Sequence, residues 1–198
     1  MNPKIFLISS PSGGGGDSVI DGLEKYLKFS RVITTVTRPI RAREKQGKPY
    51  YFITKKKFKK LLRENAFIEW ARVYGDYRGC AKKEISRLLK KRVPIVWKVD
   101  WQGVKTIKKM YPWAISIFLK PKSYKTLEKR LKKRGRDSLE EIRKRKQYTK
   151  NWLLKKRLYD YAAENREGKL KETINKVLKI IKKSQTRQST KSKARIKK

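Results

Sequence analysis

Apolar residues in this chain cluster in short runs of four to six, and most of those runs stop at glycine, proline or a charge. Residues 5–8 (Ile5, Phe6, Leu7, Ile8) are continuously apolar and end at Ser9. A short apolar run bounded by turn residues predicts a strand buried on both faces. Past the run Pro11-Ser12-Gly13-Gly14-Gly15-Gly16 the spacing changes: Val19, Ile20, Leu23, Tyr26 and Leu27 recur at helical intervals. The first 28 residues therefore predict strand, glycine loop, helix. Further strands are expected at 31–37, 50–53, 68–73, 94–99, 114–119 and 159–165, and residues 38–49 read as a loop. Helices are expected at 58–63, 81–91 and 102–110. From 123 onward the chain reads as helical and basic, broken at Arg134-Gly135-Arg136-Asp137-Ser138, where Asp137 or Ser138 is the expected cap of the next helix. A last helix carries Leu170, Ile174, Val177, Leu178 and Ile181 on one stripe. Strands alternating with helices predict a three-layer α/β fold around a mostly parallel sheet.

Composition narrows the chemistry. The 198 residues suffice for one compact domain with inserted parts, and 37% hydrophobic content suffices for a core. Lys and Arg number 57 against 17 acids, a formal charge of +40. Such a field attracts polyanions such as nucleotides or nucleic acid, although basic residues spread over every segment equally describe solvated helix faces. The absence of histidine excludes histidine acid–base catalysis and most zinc sites. The single cysteine, Cys80, forms no internal disulfide and fits a reducing cytoplasm. The apolar run after Met1-Asn2-Pro3-Lys4 is too short for a signal peptide or a membrane span. Residues 184–198 are basic and without acids, and are expected to be a disordered tail.

The glycine loop is the first candidate site. Between a buried strand and a helix N-terminus, backbone N–H groups converge and the helix dipole favours anions, so phosphate is the expected ligand. The usual phosphate-loop pattern is G-x-x-x-x-G-K-[ST]. Here Ser10 stands at its first glycine, Gly16 at its lysine and Asp17 at its hydroxyl residue, with Ser18 beside it. On this pattern alone the loop also reads as a glycine-rich turn with no ligand. Asp17 has two readings as well: a carboxylate favouring the helix start, or a Mg²⁺ ligand.

The residues that follow carry a resemblance. Thr34-Thr35-Val36-Thr37-Arg38-Pro39-Ile40-Arg41, Glu44, Gly47-Lys48-Pro49-Tyr50-Tyr51-Phe52, Phe67-Ile68-Glu69-Trp70-Ala71, Tyr74-Gly75-Asp76-Tyr77-Arg78-Gly79, Val99-Asp100-Trp101-Gln102-Gly103 and Arg134-Gly135-Arg136-Asp137-Ser138 resemble, in order and spacing, the guanylate kinase family of P-loop nucleoside monophosphate kinases. The resemblance covers about residues 3–183. It implies a core (1–33, 81–123 and 151–183), a GMP-binding insertion (34–80) and a lid (about 124–150). It implies transfer of a phosphoryl group from ATP to GMP with Mg²⁺, giving ADP and GDP. ATP would sit on Ser10, Pro11, Ser12, Gly13, Gly14, Gly15, Gly16, Asp17 and Ser18, with Asp17 and Ser18 toward the metal. Arg38, Arg41 and Tyr50 would hold the GMP phosphate, as arginine forks and a phenol suit. Glu44 would position the arginines. Glu69 would accept from the guanine N1–H and N2–H₂ edge, with Thr34 and Asp100 completing the contacts. Arg130, Arg134 and Arg145 would close over the transferring group.

Four positions depart from the family pattern. Arg78 stands where Tyr is usual, Cys80 where Ser or Thr is usual, and Lys98 where an acid is common. Gly16 replaces the lysine that follows charge into the transition state. Loss of that contact is worth ~3–5 kcal/mol, or roughly 10²–10⁴ in rate. Three readings stay open from sequence: a guanylate kinase, slowed or with a neighbouring lid cation in the lysine's place; an inactive guanylate-kinase-like module that binds GMP or a phosphorylated partner; and a nucleic-acid-associated protein, argued from charge and tail alone.

Overall fold

The computed structural model describes residues 3–41, 44–135 and 138–195, with side chains through 185. The first apolar run becomes β1 (Ile5–Ser9), and Phe6, Leu7 and Ile8 are fully buried because this strand lies in the middle of a sheet. Its parallel neighbours are β8 (Ile95–Val99) and β9 (Ile115–Lys120); β2 (Ser30–Arg31) and β10 (Tyr161–Glu164) form the edges. All pairs in this sheet are parallel, as a sheet covered by helices on both faces requires.

Alternation along the strands divides the core in two. Ile5, Leu7, Ile95, Trp97 and Val99 pack with Ile85 and Leu88 of α3 (Lys82–Leu89) and Val104 and Ile107 of α4 (Trp101–Met110). Phe6, Ile8, Val96, Ile117 and Leu119 face the other way, onto Val19, Ile20 and Leu23 of α1 (Gly16–Leu23) and Ile174, Val177 and Ile181 of α7 (Leu170–Arg195). Helix, sheet and helix form the expected three layers.

A second five-stranded sheet runs in the order β4 (Lys45–Gln46), β5 (Pro49–Phe52), β3 (Thr34–Val36), β7 (Asp76–Ala81) and β6 (Phe67–Val73). It has its own small core: Phe58 of α2 (Lys55–Arg63) is fully buried and stacks on Phe67 and Tyr77, with ring centroids 4.3 and 5.3 Å apart. Two more helices, α5 (Tyr124–Arg134) and α6 (Leu139–Leu154), pack together above the loop that follows β1.

Several expectations need correction. The single strand expected at 31–37 is two strands in two sheets. Val32 N–H still bonds Val96 in the core sheet, but Ile33 N–H donates to the Glu84 carboxylate at 3.3 Å, which takes the chain off one sheet and onto the other. β7 was not expected, since DYRGCA shows no apolar alternation; it is held by pairing on both sides, to β3 and β6. The loop expected at 38–49 contains the short β4. Residues 184–195, expected to belong to a disordered tail, continue α7, and Ser184 is buried; side chains beyond 185 and residues 196–198 lie outside the described residues. Ser138 caps α6 in a capping box with Glu141, while Asp137, the other expected cap, lies outside the described residues. Among the described residues no helix is long and apolar enough to cross a membrane.

Candidate functional site

A cavity of about 830 Å³ opens where β1 ends. Ser10, Pro11, Ser12, Gly13, Gly15, Gly16, Asp17 and Ser18 line one side of it. The loop reverses through a Gly14 N–H bond to the Pro11 carbonyl at 2.9 Å, and Gly15, at φ 81°, is the residue before the first turn of α1. That left-handed conformation favours glycine, and a Cβ on Gly15 would collide with Asn165 Nδ2. Gly14, expected in the site, is buried and does not line the cavity; its carbonyl accepts from Asn165 Nδ2 at 2.8 Å. The first N–H groups of α1 have no partner within the helix and point toward the loop's open side, which is the arrangement that attracts phosphate.

The facing wall belongs to the second sheet. Arg38, Arg41, Tyr50 and Arg78 line it. Glu44 does not line the cavity but fixes the wall. It takes both ends of the Arg38 fork, at 2.6 and 2.7 Å, and the Arg41 N–H at 2.9 Å. Burial opposes its charge, but Arg38 and the Arg41 N–H win and hold its carboxyl below the usual range. Arg38 also lies over the Tyr50 ring at 5.1 Å.

Thr34, Glu69, Cys80 and Asp100 are brought together but do not line the cavity; they are buried, at 5%, 6%, 0% and 2% exposure. Arg78 connects the two regions: it lines the cavity and its charge favours ionised Glu69. Burial, then the charge of Asp100, pushes the Glu69 carboxyl up to about 8, against Arg78 and the Cys80 N–H. Glu69 Oε2 approaches α4 so closely that a Cβ on Gly103 would lie 3.0 Å from it. Asp100 caps α4 through the Gly103 N–H at 2.7 Å and accepts from Tyr148 at 3.0 Å, which ties α6 to the end of β8. Burial, then Glu69 and Glu84, pushes the Cys80 thiol upward, so it stays a neutral thiol.

Arg130 and Arg134 of α5 and Arg145 of α6 reach the same cavity. Arg145 donates to Ser12 Oγ at 3.0 Å and lies 4.9 Å over the Tyr74 ring. Arg130 donates to the Asn165 carbonyl at 2.9 Å and the Gly13 carbonyl at 3.4 Å, and Arg134 also lines the cavity. Leu127 and Leu131 of α5 press on the loop itself: a Cβ on Gly13 would meet the Leu127 carbonyl at 3.2 Å and Leu131 Cγ at 3.3 Å.

Sequence reasoning did not select four residues that the fold places at the loop. Arg31 NH2 pairs with Asp17 Oδ1 at 2.7 Å. Lys98 Nζ pairs with Asp17 Oδ2 at 2.5 Å and with the Tyr50 hydroxyl at 2.9 Å. Asn165 buttresses Gly14, and Tyr148 holds Asp100. Burial would raise the Asp17 carboxyl, but Lys98, Arg31 and the Tyr50 hydroxyl hold it down at about 2. The sequence carried a signal for Lys98 alone, a lysine at a position where an acid is common. The other three come from distant segments with no pattern of their own.

Comparison with known proteins matches this arrangement to one family. A guanylate kinase family model matches residues 2–184. The chain is 40% identical over 180 residues to the guanylate kinase of Buchnera aphidicola subsp. Acyrthosiphon pisum, covering 89% of this chain and 86% of that one. It is 38% identical over 178 residues to the guanylate kinase of Rickettsia prowazekii, covering 89% of each. Its fold is similar to the crystal structure of guanylate kinase from Anaplasma phagocytophilum, with a TM-score of 0.70 at 26% identity over 93% of this chain and 87% of the other. Matched from residue 2 to residue 184 and aligned with such relatives over most of their length, the chain belongs to the guanylate kinase family.

Proposed function

We propose that this chain is an ATP:GMP phosphotransferase that gives ADP and GDP, with the residue roles that follow. The observation that carries the reading is the cavity between two anion-binding walls: the loop after β1 on one side, and Arg38, Arg41 and Tyr50 on the other, with lid arginines reaching between. A kinase joining two phosphorylated substrates needs one wall for each.

Phosphoryl transfer asks a protein for alignment and positive charge more than for covalent chemistry. The loop and the α1 N-terminus hold the ATP phosphates. Arg38, Arg41 and Tyr50 hold the GMP phosphate so that its oxygen faces the γ-phosphorus, and Glu44 keeps Arg38 in one orientation. Glu69, protonated near neutral pH in the unliganded protein, releases that proton to solvent as guanine is seated and then accepts from the guanine N1–H and N2–H₂ donors, a pair that adenine lacks, with Thr34 and Asp100 beside it. Because these residues are buried, seating guanine requires the second sheet and the core to part around Arg78. Arg130, Arg134 and Arg145 on α5 and α6 place charge on the transferring group and exclude water.

Mg²⁺ fits the donors present. Among the described residues no three acidic or cysteine side chains form a metal cluster. Mg²⁺ is commonly held by one or two carboxylates with substrate phosphates and water, and the oxygen donors Asp17 and Ser18 line the cavity beside the loop. They would hold the ion, Asp17 through water because Arg31 and Lys98 occupy both of its oxygens, and the ion when bound would neutralise charge on the β- and γ-phosphates. We place the reaction in the cytoplasm and treat attraction of nucleic acid by the +40 surface as secondary.

The test is ADP release with ATP and each of GMP, AMP and UMP as acceptor, in a coupled assay. GMP is expected to be the preferred acceptor by at least ~10²-fold. ADP release with GMP no faster than without acceptor, or equal rates with AMP, overturns the reading.

A further inference from the structure

Two of the departures from the family pattern, Gly16 and Lys98, are 82 residues apart in sequence and in contact in space. In the parallel register of β1 and β8, Ile8 lies opposite Lys98. Val96, two residues earlier on β8, packs in the cluster of Ile8 and α1, so Lys98 emerges on the α1 face of the sheet, at the end where the loop begins. Its stem then runs across Gly16. A Cβ on Gly16 would lie 2.8 Å from Ser10 Oγ, which a turn about the serine χ1 can move aside, 3.2 Å from Lys98 Cε and 3.6 Å from Cδ. Beyond the serine hydroxyl, the space that a side chain from position 16 would enter is filled by a lysine arriving from the neighbouring strand.

The ammonium at the end of that stem is inside the phosphate cavity, which Lys98 lines together with Ser10, Gly16 and Arg38. It sits between Asp17 Oδ2 at 2.5 Å and the Tyr50 hydroxyl at 2.9 Å, 5.6 Å over the Tyr50 ring. Asp17 and Tyr50 are on opposite walls, one at the donor loop and one at the acceptor side, so the cation lies between the two. A role as counter-ion alone does not account for this placement, because the other oxygen of Asp17 already carries Arg31.

We propose that Lys98 supplies the ammonium that this phosphate loop lacks at Gly16, reaching the β- and γ-phosphate oxygens of ATP from β8 and not from the loop, with Asp17 and Tyr50 as positioning residues. The proposal rests on the kinase reading above and deepens it. The lysine is relocated, not lost: its charge enters the same cradle from a different backbone position. The sequence expectation that a lid cation takes its place is replaced by a residue of the core sheet, and the inactive-module reading loses its main support.

Four proteins test this: wild type, Lys98→Ala, Gly16→Lys, and the double variant Gly16→Lys/Lys98→Ala. Steady-state kcat and KM are measured with ATP and GMP, and ADP affinity by titration calorimetry without GMP. Lys98→Ala is expected to lower kcat by ~10²–10³-fold and to weaken ADP ~10-fold, leaving the KM for GMP within about threefold. Gly16→Lys alone brings a second ammonium into an occupied space and is expected to give no gain. The double variant clears Cδ and Cε of Lys98 and is expected to recover at least ~10-fold of the lost kcat, which also shows that the cradle remains folded. A Lys98→Ala enzyme with kcat within about threefold of wild type and unchanged ADP affinity overturns the proposal. Wild-type protein without turnover, but whose ADP affinity still falls on Lys98→Ala, keeps the phosphate contact and ends the kinase reading instead.

Discussion

Glu69→Gln removes a carboxyl that the fold holds in its neutral form, and the consequence for stability follows from its surroundings. The residue is 6% exposed, Asp100 stands beside it, and its carboxyl is pushed from 4.5 to about 8 by burial first and that neighbouring charge second. The folded protein therefore keeps a proton up to about pH 8 that the unfolded chain releases near pH 4.5. Between those values the unfolded state binds fewer protons, so stability falls as pH rises, by about 1.4 kcal/mol per unit. The accumulated cost is about 3 kcal/mol at pH 7 and about 5 kcal/mol above pH 8. Glutamine has no proton to lose, so the variant escapes this slope. Asp17 acts in the opposite sense and elsewhere: held down at about 2, its contribution is complete above pH 3.8 and is lost only as pH falls toward 2, equally in both proteins. Urea unfolding of nucleotide-free wild type and variant at pH 5, 6.5 and 8 is the assay. The stability difference should move in favour of the variant by about 4 kcal/mol between pH 5 and pH 8. Curves parallel to within about 1 kcal/mol over that range would refute the reasoning, because they would mean that Glu69 is ionised in the folded protein. The same substitution is expected to raise the KM for GMP by ~10–100-fold, since the guanine donors lose a charged acceptor.

Other expectations follow from single contacts. Glu44→Gln loosens the Arg38 fork, whose partners are 12% and 15% exposed, and should raise the KM for GMP ~10-fold with little change in the KM for ATP; an unchanged KM for GMP would place the pair outside the acceptor site. Asn165→Ala leaves the Gly14 carbonyl and the Thr173 hydroxyl without their 2.8 and 3.1 Å partners, at a cost of ~1–3 kcal/mol in thermal unfolding and with a higher KM for ATP. Ser138→Ala breaks the capping box with Glu141 and should weaken α6 by about 1 kcal/mol, read as faster amide exchange at 139–142.

Much of the core could be read from the sequence alone. Residues 5–8, 95–97 and 117–119 are apolar on both strand faces because both faces of the central sheet are covered, and that requirement shows in the residues themselves. Arg38, Arg41, Glu44 and Glu69 were legible for a different reason. They stand in motifs of fixed order and spacing, as the proposed contacts with a phosphate and a base edge of fixed geometry would require. Three features were not legible. β7 carries Asp76, Arg78 and Gly79 because its two neighbours supply its ladder, so no apolar pattern was needed. The break between β2 and β3 depends on Glu84, which lies 51 residues away in sequence. Asn165 and Arg31 reach the loop only after β10 and β2 take their places at the sheet edges.

The sequence by itself determined the layered fold, the family and the loop residues and arginines that line the cavity, because those rest on local pattern and on motifs read residue by residue. It could show only that the loop lacks a lysine at position 16 and that a lysine stands unexpectedly at position 98. Tertiary structure decided that these are one feature. The register of two parallel strands sets Lys98 beside Gly16, and the packing of β6 of the second sheet on α4 sets Glu69 beside Asp100, where burial and like charge hold a proton. Charge placement and proton affinity depend on distances of a few ångströms between residues far apart in the chain, and no pattern along the chain records such distances.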